Sequence, residues 1–459
     1  MTMKSEKLAI TIVGTGYVGL TTGVALAYLG HRVTCVDKNP EVVEKLKNGT
    51  ATIYEPGVEE LLVEAAANLS FSGNLPDSLP DSDVVVIAVG TPAKYNGDTD
   101  LTYVENVARE IGDTIAPEKF LVVVNKSTVP IGTASRVDTV IKEELRKRGL
   151  EGNYSVASNP EFLREGAALH DTFYPDRIVI GADELQAVNV LRQMYAPILE
   201  QTFTPPRLVP RPESYGMPAF VTTAPTSAEL IKYASNAFLA MKISFINEFS
   251  GIAERVGADI REVAKGIGLD KRIGSGFLNA GVGWGGSCFP KDTRSILFTG
   301  KQYGVDMPIT SAAVEINHKQ RKRIVEKLQA SLKVIRGSTI GILGLAFKPN
   351  TDDIRESPAI EIIAELLEMG ASIKVYDPVA LENYRQNFPH QDITYASTVE
   401  ETARESDALV LLTDWEHFLH VPWQDLAETM RQAIFIDGRN YLSGEEMQNC
   451  GFTYLGIGC

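Results

Sequence analysis

Leu8-Ala9-Ile10-Thr11-Ile12-Val13-Gly14-Thr15-Gly16-Tyr17-Val18-Gly19 is a short, mostly apolar run that ends in a glycine-interrupted turn and opens into a helical pattern reaching Leu29. A second run, Arg32 to Val36, follows and closes on Asp37. Strand, turn, helix and strand in that order predict a β-α-β unit. The turn has the spacing G-x-G-x-x-G, in which the first glycine permits the bend, the second lets backbone approach a pyrophosphate, and the third lets helix pack on strand. Gly14, Gly16, Tyr17, Val18 and Gly19 are therefore candidates to bind a dinucleotide, against the plainer reading of a turn kept for packing. Asp37 stands where an acidic residue accepts hydrogen bonds from the adenosine ribose and repels a 2′-phosphate, which favours NAD over NADP. Lys38 beside it is a further candidate cofactor contact.

Outward from this unit, buried-strand candidates recur at Val84–Val89, Leu121–Asn125 and Ile178–Ile180, separated by helical segments, as a mostly parallel sheet requires. The pattern begins again near residue 338: Thr339–Leu343, a glycine, a helix over 358–369, then Ile373–Tyr376 ending at Asp377. Ser406-Asp407-Ala408-Leu409-Val410-Leu411 echoes Ser82-Asp83-Val84-Val85-Val86-Ile87. The fold expected is α/β, with two Rossmann-like doubly wound domains joined by a central helical domain with a long bridging helix. The boundaries read as 1–204 for the dinucleotide domain, 205–226 for a proline-rich linker or excursion, 227–332 for the central helical domain and 333–459 for the second α/β domain. In the second copy an insert, 348–357, occupies the place of a phosphate-binding turn.

The 459 residues exceed one ordinary core, and 44% hydrophobic with 22% charged residues describes a globular chain. A net charge of -15 argues against nucleic acid and anionic membrane surfaces as partners. A phosphorylated ligand remains possible where helix N-termini and a few cations give local help. No apolar run approaches the roughly 18 residues of a membrane span, and the N-terminus reads as a strand rather than a signal peptide, so a cytoplasmic location is expected. Four scattered cysteines, Cys35, Cys288, Cys450 and Cys459, suit a reducing compartment.

One cysteine has special surroundings: Gly283-Trp284-Gly285-Gly286-Ser287-Cys288-Phe289-Pro290-Lys291-Asp292. Pro290 suits the first turn of a helix. Cys288 would then sit at a helix N-terminus, where the dipole and Lys291 favour the thiolate and the flanking glycines suggest exposure. The alternative is a small cysteine packed as a hydrophobe. A helix expected over 227–256 is apolar nearly all round, which predicts burial on several sides, between domains or against a second subunit. Lys232, Asn236 and Asn247 share one polar stripe on it, either functional or hydrogen-bonded internally.

Gly90-Thr91-Pro92 and Lys126-Ser127-Thr128-Val129-Pro130 each follow a strand candidate, where they either meet a ligand or merely shape turns. In Asn159-Pro160-Glu161-Phe162-Leu163-Arg164-Glu165-Gly166, the carboxylates either bind hydroxyls or pair with Arg164. His417 and His420 have no third ligand nearby, so no metal is expected.

Taken in order, GTGYVGL (14–20), VGTP (89–92), KSTVPIGT (126–133), NPEFLREG (159–166), SAELIKYASNAF (227–238), GWGGSCFPKD (283–292), LGLAFKPNTDDIRESPA (343–359) and IDGRN (436–440) closely resemble the UDP-glucose/GDP-mannose dehydrogenase family over nearly the whole chain. The approach Phe277-Leu278-Asn279-Ala280-Gly281 is similar to that of members acting on UDP-glucose. The resemblance implies oxidation of a primary alcohol to a carboxylate by two NAD in turn, UDP-glucose giving UDP-glucuronate through a Cys288 thiohemiacetal and thioester. It implies that Lys232 and Asn236 stabilise the oxyanion and that Asp292, Thr128 and Glu161 serve in water positioning or proton transfer. It gives cofactor contacts to Thr91, Pro92, Ser127, Thr128, Glu165, Lys291 and Arg355. It gives the nucleotide sugar Glu161, Phe162, Leu163, Arg164, Glu165, Lys232, Asn236, Arg272, Phe277 to Gly281, Gly285, Phe347, Lys348 and Arg439, with a homodimer formed through the long helix. Two departures stand out: Val42 occupies a position that is basic in many members, and the 205–225 stretch, with six prolines, is long. The same chemistry on GDP-mannose or a UDP-N-acetylhexosamine, or a non-catalytic NAD-binding scaffold, are the competing readings.

Overall fold

The computed structural model describes residues 7–459. They form two compact units, divided after Ala234 within the helix Pro225–Val256. In the first unit eight strands run β1 (Ala9–Val13), β2 (Arg32–Val36), β3 (Leu69–Ser72), β4 (Val84–Ile87), β5 (Leu121–Asn125), β6 (Tyr154–Ser158), β7 (Arg177–Ala182) and β8 (Ala219–Thr223). Their spatial order is β3-β2-β1-β4-β5-β6-β7-β8, parallel throughout except for the antiparallel β6–β7 pair. The order reverses between β1 and β4, and beyond such a switch point, at the carboxyl ends of the strands, ligands gather. β1, β4 and β5 are buried along their whole length, which is why they read as continuous apolar runs.

The second unit carries β9 (Thr339–Leu343), β10 (Ser372–Tyr376), β11 (Ile393–Tyr395), β12 (Ala408–Leu411), β13 (Ile434–Asp437) and β14 (Thr453–Leu455), all parallel, in the order β11-β10-β9-β12-β13-β14. This repeats the first sheet's β3-β2-β1-β4-β5-β6, so the fold is α/β with two doubly wound domains. The repeat extends to single bonds: Asp83 Oδ2 accepts from Ala9 N at 2.8 Å, and Asp407 Oδ2 from Thr339 N at 2.8 Å. Between the sheets in sequence, two helices of the second unit and the loop after them share a small core of Ile246, Ala253, Ile260, Leu278 and Ala280. No helix among the described residues is long and apolar enough to cross a membrane.

The proline-rich stretch is strapped to the first unit. Tyr174 Oη donates to Val209 O at 3.0 Å and Tyr215 Oη to Pro175 O at 2.7 Å, and residues 219–223 then add β8 beside β7. Prolines remove ladder donors, so strand pairing resumes only past Pro218.

The helix expected over 227–256 starts at Pro225, and within one chain its apolar surface is only partly covered. Ile246 and Ala253 are buried, whereas Leu230, Phe238, Phe245, Phe249 and Ile252 are exposed. Apolar periodicity identifies a face that avoids water but not what covers it.

Candidate active site

At the first sheet's switch point, Gly14 has φ +99°, and a Cβ there would lie 2.6 Å from Ala88 O, so only glycine fits. A Cβ on Gly19 would strike Gly14 O, whereas one on Gly16 would meet nothing within 4 Å. The middle glycine therefore opens onto free space at the head of the helix Tyr17–Tyr28, which has no side-chain cap and no acidic residue in its first turn. Bare N–H groups at a positive helix end suit a pyrophosphate. Asp37, half-buried at the end of β2, accepts from Thr15 N at 3.1 Å and Thr15 Oγ1 at 2.6 Å on Oδ2, and from Asn39 N at 3.0 Å on Oδ1. Each carboxylate oxygen has two acceptor sites, so one on Oδ1 remains for a ribose hydroxyl.

The second sheet lacks that opening. Asp377, the counterpart of Asp37, is fully enclosed and accepts from Leu345 N, Ala346 N, Val379 N, Ala380 N and Trp415 Nε1. With five donors on one carboxylate, no ribose could be recognised there.

The other cofactor candidates divide. Thr91 Oγ1 donates to Thr128 O at 2.8 Å and Ser127 Oγ to Val89 O at 2.7 Å, so these two hydroxyls lock the turns after β4 and β5 together. Pro92 is exposed, and Lys38 pairs with Glu110 at the surface.

Beyond the end of β6 lies the first unit's buried ion pair, Lys232 Nζ to Glu161 Oε1 at 2.7 Å, both side chains about 95% enclosed. Burial alone would raise the Glu161 carboxyl. The charge and hydrogen bond of Lys232, the Leu163 N–H at 2.6 Å and the nearby Lys126 ammonium outweigh it and hold the group below its ordinary value. Phe162 lies beneath two cations, Arg177 at 3.9 Å and Lys232 at 5.5 Å from the ring centroid. The expected alternative pairing of Arg164 with its neighbouring carboxylates is corrected: its guanidinium is bidentate on Asp171, at 2.6 and 2.9 Å.

In the second unit Cys288 is the N-cap of the helix Phe289–Gln302 and is half-buried, with Ser287 Oγ 3.6 Å from its sulfur. One turn on, Asp292 is 1% exposed and accepts from Asn236 Nδ2 and Lys291 Nζ, each at 2.6 Å. Lys291 is thus committed to Asp292. The flanking glycines Gly283, Gly285 and Gly286 do not mark an exposed loop, as their run suggests. They are buried because other chain segments press on them: a Cβ on Gly283 would overlap Asn317 Oδ1, on Gly285 Glu356 O, and on Gly286 the Phe347 ring. Much of that pressure comes from the 348–357 insert and Phe347 before it, with Gly286 N bonded to Arg355 O at 3.0 Å. The remaining cysteines lack this setting; burial pushes the Cys35 thiol up to about 12.

Asn247, third of the polar stripe, accepts from Gly281 N at 2.8 Å and anchors the Phe277–Gly281 segment. In that segment Leu278 and Ala280 are buried, Asn279 is exposed, and Phe277, at φ +64°, lies with its ring 6.3 Å from that of Phe289 beside the cysteine. Arg439 is inward-facing, donating to Leu412 O, Gly283 O and Phe347 O at 2.7, 3.3 and 2.9 Å. It thereby clamps the cysteine loop to the second sheet. Arg355 chelates Asp353, Lys348 Nζ lies 5.5 Å from the Phe347 ring centroid, and Arg272 pairs with Asp270 on the surface.

Sequence reading missed three supports. Lys126 Nζ lies buried against Asn159 Oδ1 at 3.2 Å and Tyr195 Oη at 3.3 Å. Glu55 accepts from Gly166 N and Ala168 N, holding the loop that carries Glu161. Asn317 pins Trp284 through both its N–H and its carbonyl. A charged residue closing a buried strand, as Lys126 does, was the one signal available. Among the described residues no group of His, Cys, Asp or Glu could hold a metal ion.

An open glycine turn facing a helix N-terminus, with a carboxylate of spare acceptor capacity beside it, is the geometry of a dinucleotide-binding domain, and the family to which the chain belongs makes it an NAD-dependent oxidoreductase. The chain belongs to the UDP-glucose/GDP-mannose dehydrogenase family: residues 8–199 match its NAD binding domain, 226–319 its central domain and 341–444 its UDP binding domain. A UDP-glucose 6-dehydrogenase of Bacillus subtilis is 42% identical over 98% of this chain and 93% of its own length. One of Rhizobium meliloti is 44% identical over 98% and 99%. The solved structure of a UDP-glucose dehydrogenase from Pyrobaculum islandicum superposes with a TM-score of 0.88 at 39% identity, covering 100% of this chain and 99% of that one.

Proposed function

We propose that this enzyme oxidises the C6 alcohol of UDP-glucose to the carboxylate of UDP-glucuronate in two steps, with Cys288 as the covalent nucleophile. The observation that carries the reading is Asp292, an acid enclosed one helical turn from a half-buried cysteine and held by an amide and an ammonium at 2.6 Å each. A polar group so placed contributes little to packing and suits water positioning or proton transfer. When bound, NAD accepts the hydride at each oxidation. Cys288 Sγ adds to the C6 aldehyde to form a thiohemiacetal, oxidation of that adduct leaves a thioester, and water attacks it to free the carboxylate and the thiol. Lys232 and the second N–H of Asn236 stabilise negative charge on the C6 oxygen, while Glu161 keeps Lys232 oriented. Thr128 assists in handling the water, and the Phe277–Gly281 segment, Lys348 and Arg439 shape the nucleotide-sugar site.

UDP-glucose is favoured over other nucleotide hexoses by the 42–44% identity, over nearly full length, to enzymes of that name. Stopped assays at fixed NAD are expected to give two NADH for each UDP-glucose consumed. A ratio of one overturns the covalent mechanism, and faster turnover of GDP-mannose or a UDP-N-acetylhexosamine overturns the choice of sugar.

The exposed stripe of Leu230, Phe238, Phe245, Phe249 and Ile252 supports self-association of the chain through the long helix. Sedimentation is expected to show at least a dimer, and Phe245→Glu/Phe249→Glu to reduce its mass; a wild-type monomer at micromolar concentration sinks this assembly. Four free cysteines and NAD chemistry fit the cytoplasm.

A further inference from the structure

The helix Thr133–Lys147 begins at Gly132, φ +94°, with no capping side chain of its own. Its orphan donors are taken instead by a residue distant in sequence. Glu229, 3% exposed, accepts from Gly132 N at 2.6 Å on one oxygen and from Ala134 N at 2.9 Å on the other, and Ser158 Oγ donates to the latter at 3.1 Å. One carboxylate thereby joins three segments that each lead to a proposed site residue. The turn over 127–133 carries Thr128, the end of β6 leads to Glu161, and the long helix carries Lys232 three residues after Glu229 itself. The far side of the same turn is held by Thr91 and Ser127. A fully enclosed carboxylate is a costly way to cap a helix, since a serine or aspartate at the N-cap itself does so locally. What the distant acceptor adds is a fixed register between the helix bearing Lys232 and the two loops it faces.

We propose that Glu229 is a positioning residue of the reaction, setting Lys232 against the turn that carries Thr128; this rests on the catalytic reading of Lys232 above. Glu229→Gln keeps one acceptor but turns an amide NH2 toward a backbone N–H, so one cap bond and the charge are lost while the volume stays. Misplacement of a catalytic group by about 1 Å can cost roughly 100-fold in rate. In the full-length enzyme, kcat is expected to fall roughly 10- to 100-fold and by a larger factor than KM for NAD rises, because Glu229 holds the turn of Ser127 and Thr128 but touches none of Gly14, Gly16, Gly19 or Asp37. Ser158→Ala, which removes only the neutral bond, should lower kcat in the same direction by roughly threefold, and it keeps the test decisive if Glu229→Gln does not fold. A purely structural cap predicts a lower melting temperature with wild-type kcat per folded molecule, and that result in either variant overturns the inference. Lys232→Met assayed alongside separates the failures. An inactive Lys232→Met with a fully active Glu229→Gln rejects Glu229 alone, and a fully active Lys232→Met rejects the reading on which it rests.

Discussion

Cys288→Ser should reduce steady-state formation of the carboxylate by roughly 10³-fold or more while leaving NAD binding intact. The substitution barely changes volume at a half-buried helix cap, so the fold has no reason to respond. What it removes is the sulfur. A sulfur nucleophile adds to a carbonyl and leaves again as a thiol, whereas a serine hydroxyl is a far weaker nucleophile at neutral pH. Without it the C6 aldehyde gains no covalent anchor, and the second hydride has no sulfur adduct from which to leave. Rapid mixing with UDP-glucose and excess NAD should give no more than about one NADH per active site, followed by a stall. Steady-state turnover within about threefold of wild type would exclude sulfur from the covalent role.

Several strands whose both faces are covered were legible, because burial along a parallel strand writes an unbroken apolar run, as in Val84–Ile87 and Leu121–Asn125, although the equally buried Ile434–Asp437 was not among them. The sequence did not disclose β3, Leu69–Ser72, or β8, Ala219–Thr223, which lie at the sheet's edges, are at most half-buried and carry serine or threonine among their apolar residues. The cysteine loop stands out in the sequence, but its glycines do not mean the exposure that their run suggests. A run of glycine signals close approach without saying whether ligand or protein approaches, and here Phe347, Glu356 and Asn317 do. Pairings such as Glu161 with Lys232, or Glu229 with Gly132 and Ala134, join positions far apart in sequence, and no periodicity connects them. The two strand-end aspartates look identical as residues. Only the structure shows Asp37 with acceptor capacity to spare and Asp377 surrounded by five donors, a difference in what each carboxylate could still accept.

Lys232→Met separates what the buried pair does for the reaction from what it does for the fold. Loss of a preorganised donor to an oxyanion costs on the order of 10²- to 10³-fold in kcat. The same change leaves Glu161 enclosed without the cation 2.7 Å away, and breaking a buried pair from one side costs about 3–5 kcal/mol. Adding Glu161→Gln removes the stranded charge, so Lys232→Met/Glu161→Gln should recover much of the melting temperature but none of the rate. The pH dependence gives an independent sign. In the wild type the Glu161 carboxyl is held below its ordinary value, so its stabilisation is complete above the unfolded carboxyl pKa, about 4.3, and is lost as pH falls through the folded value. In Lys232→Met burial dominates and the folded value rises above the unfolded one. The variant is then favoured by protonation and loses stability as pH rises through that raised value. Thermal melts between pH 5 and 8 should therefore show the gap between wild type and Lys232→Met widening with pH, and closing at every pH when Glu161→Gln is added. A gap independent of pH would mean that Glu161 does not carry the charge assigned to it, and equal activity of Lys232→Met and wild type would remove lysine from the oxyanion site altogether.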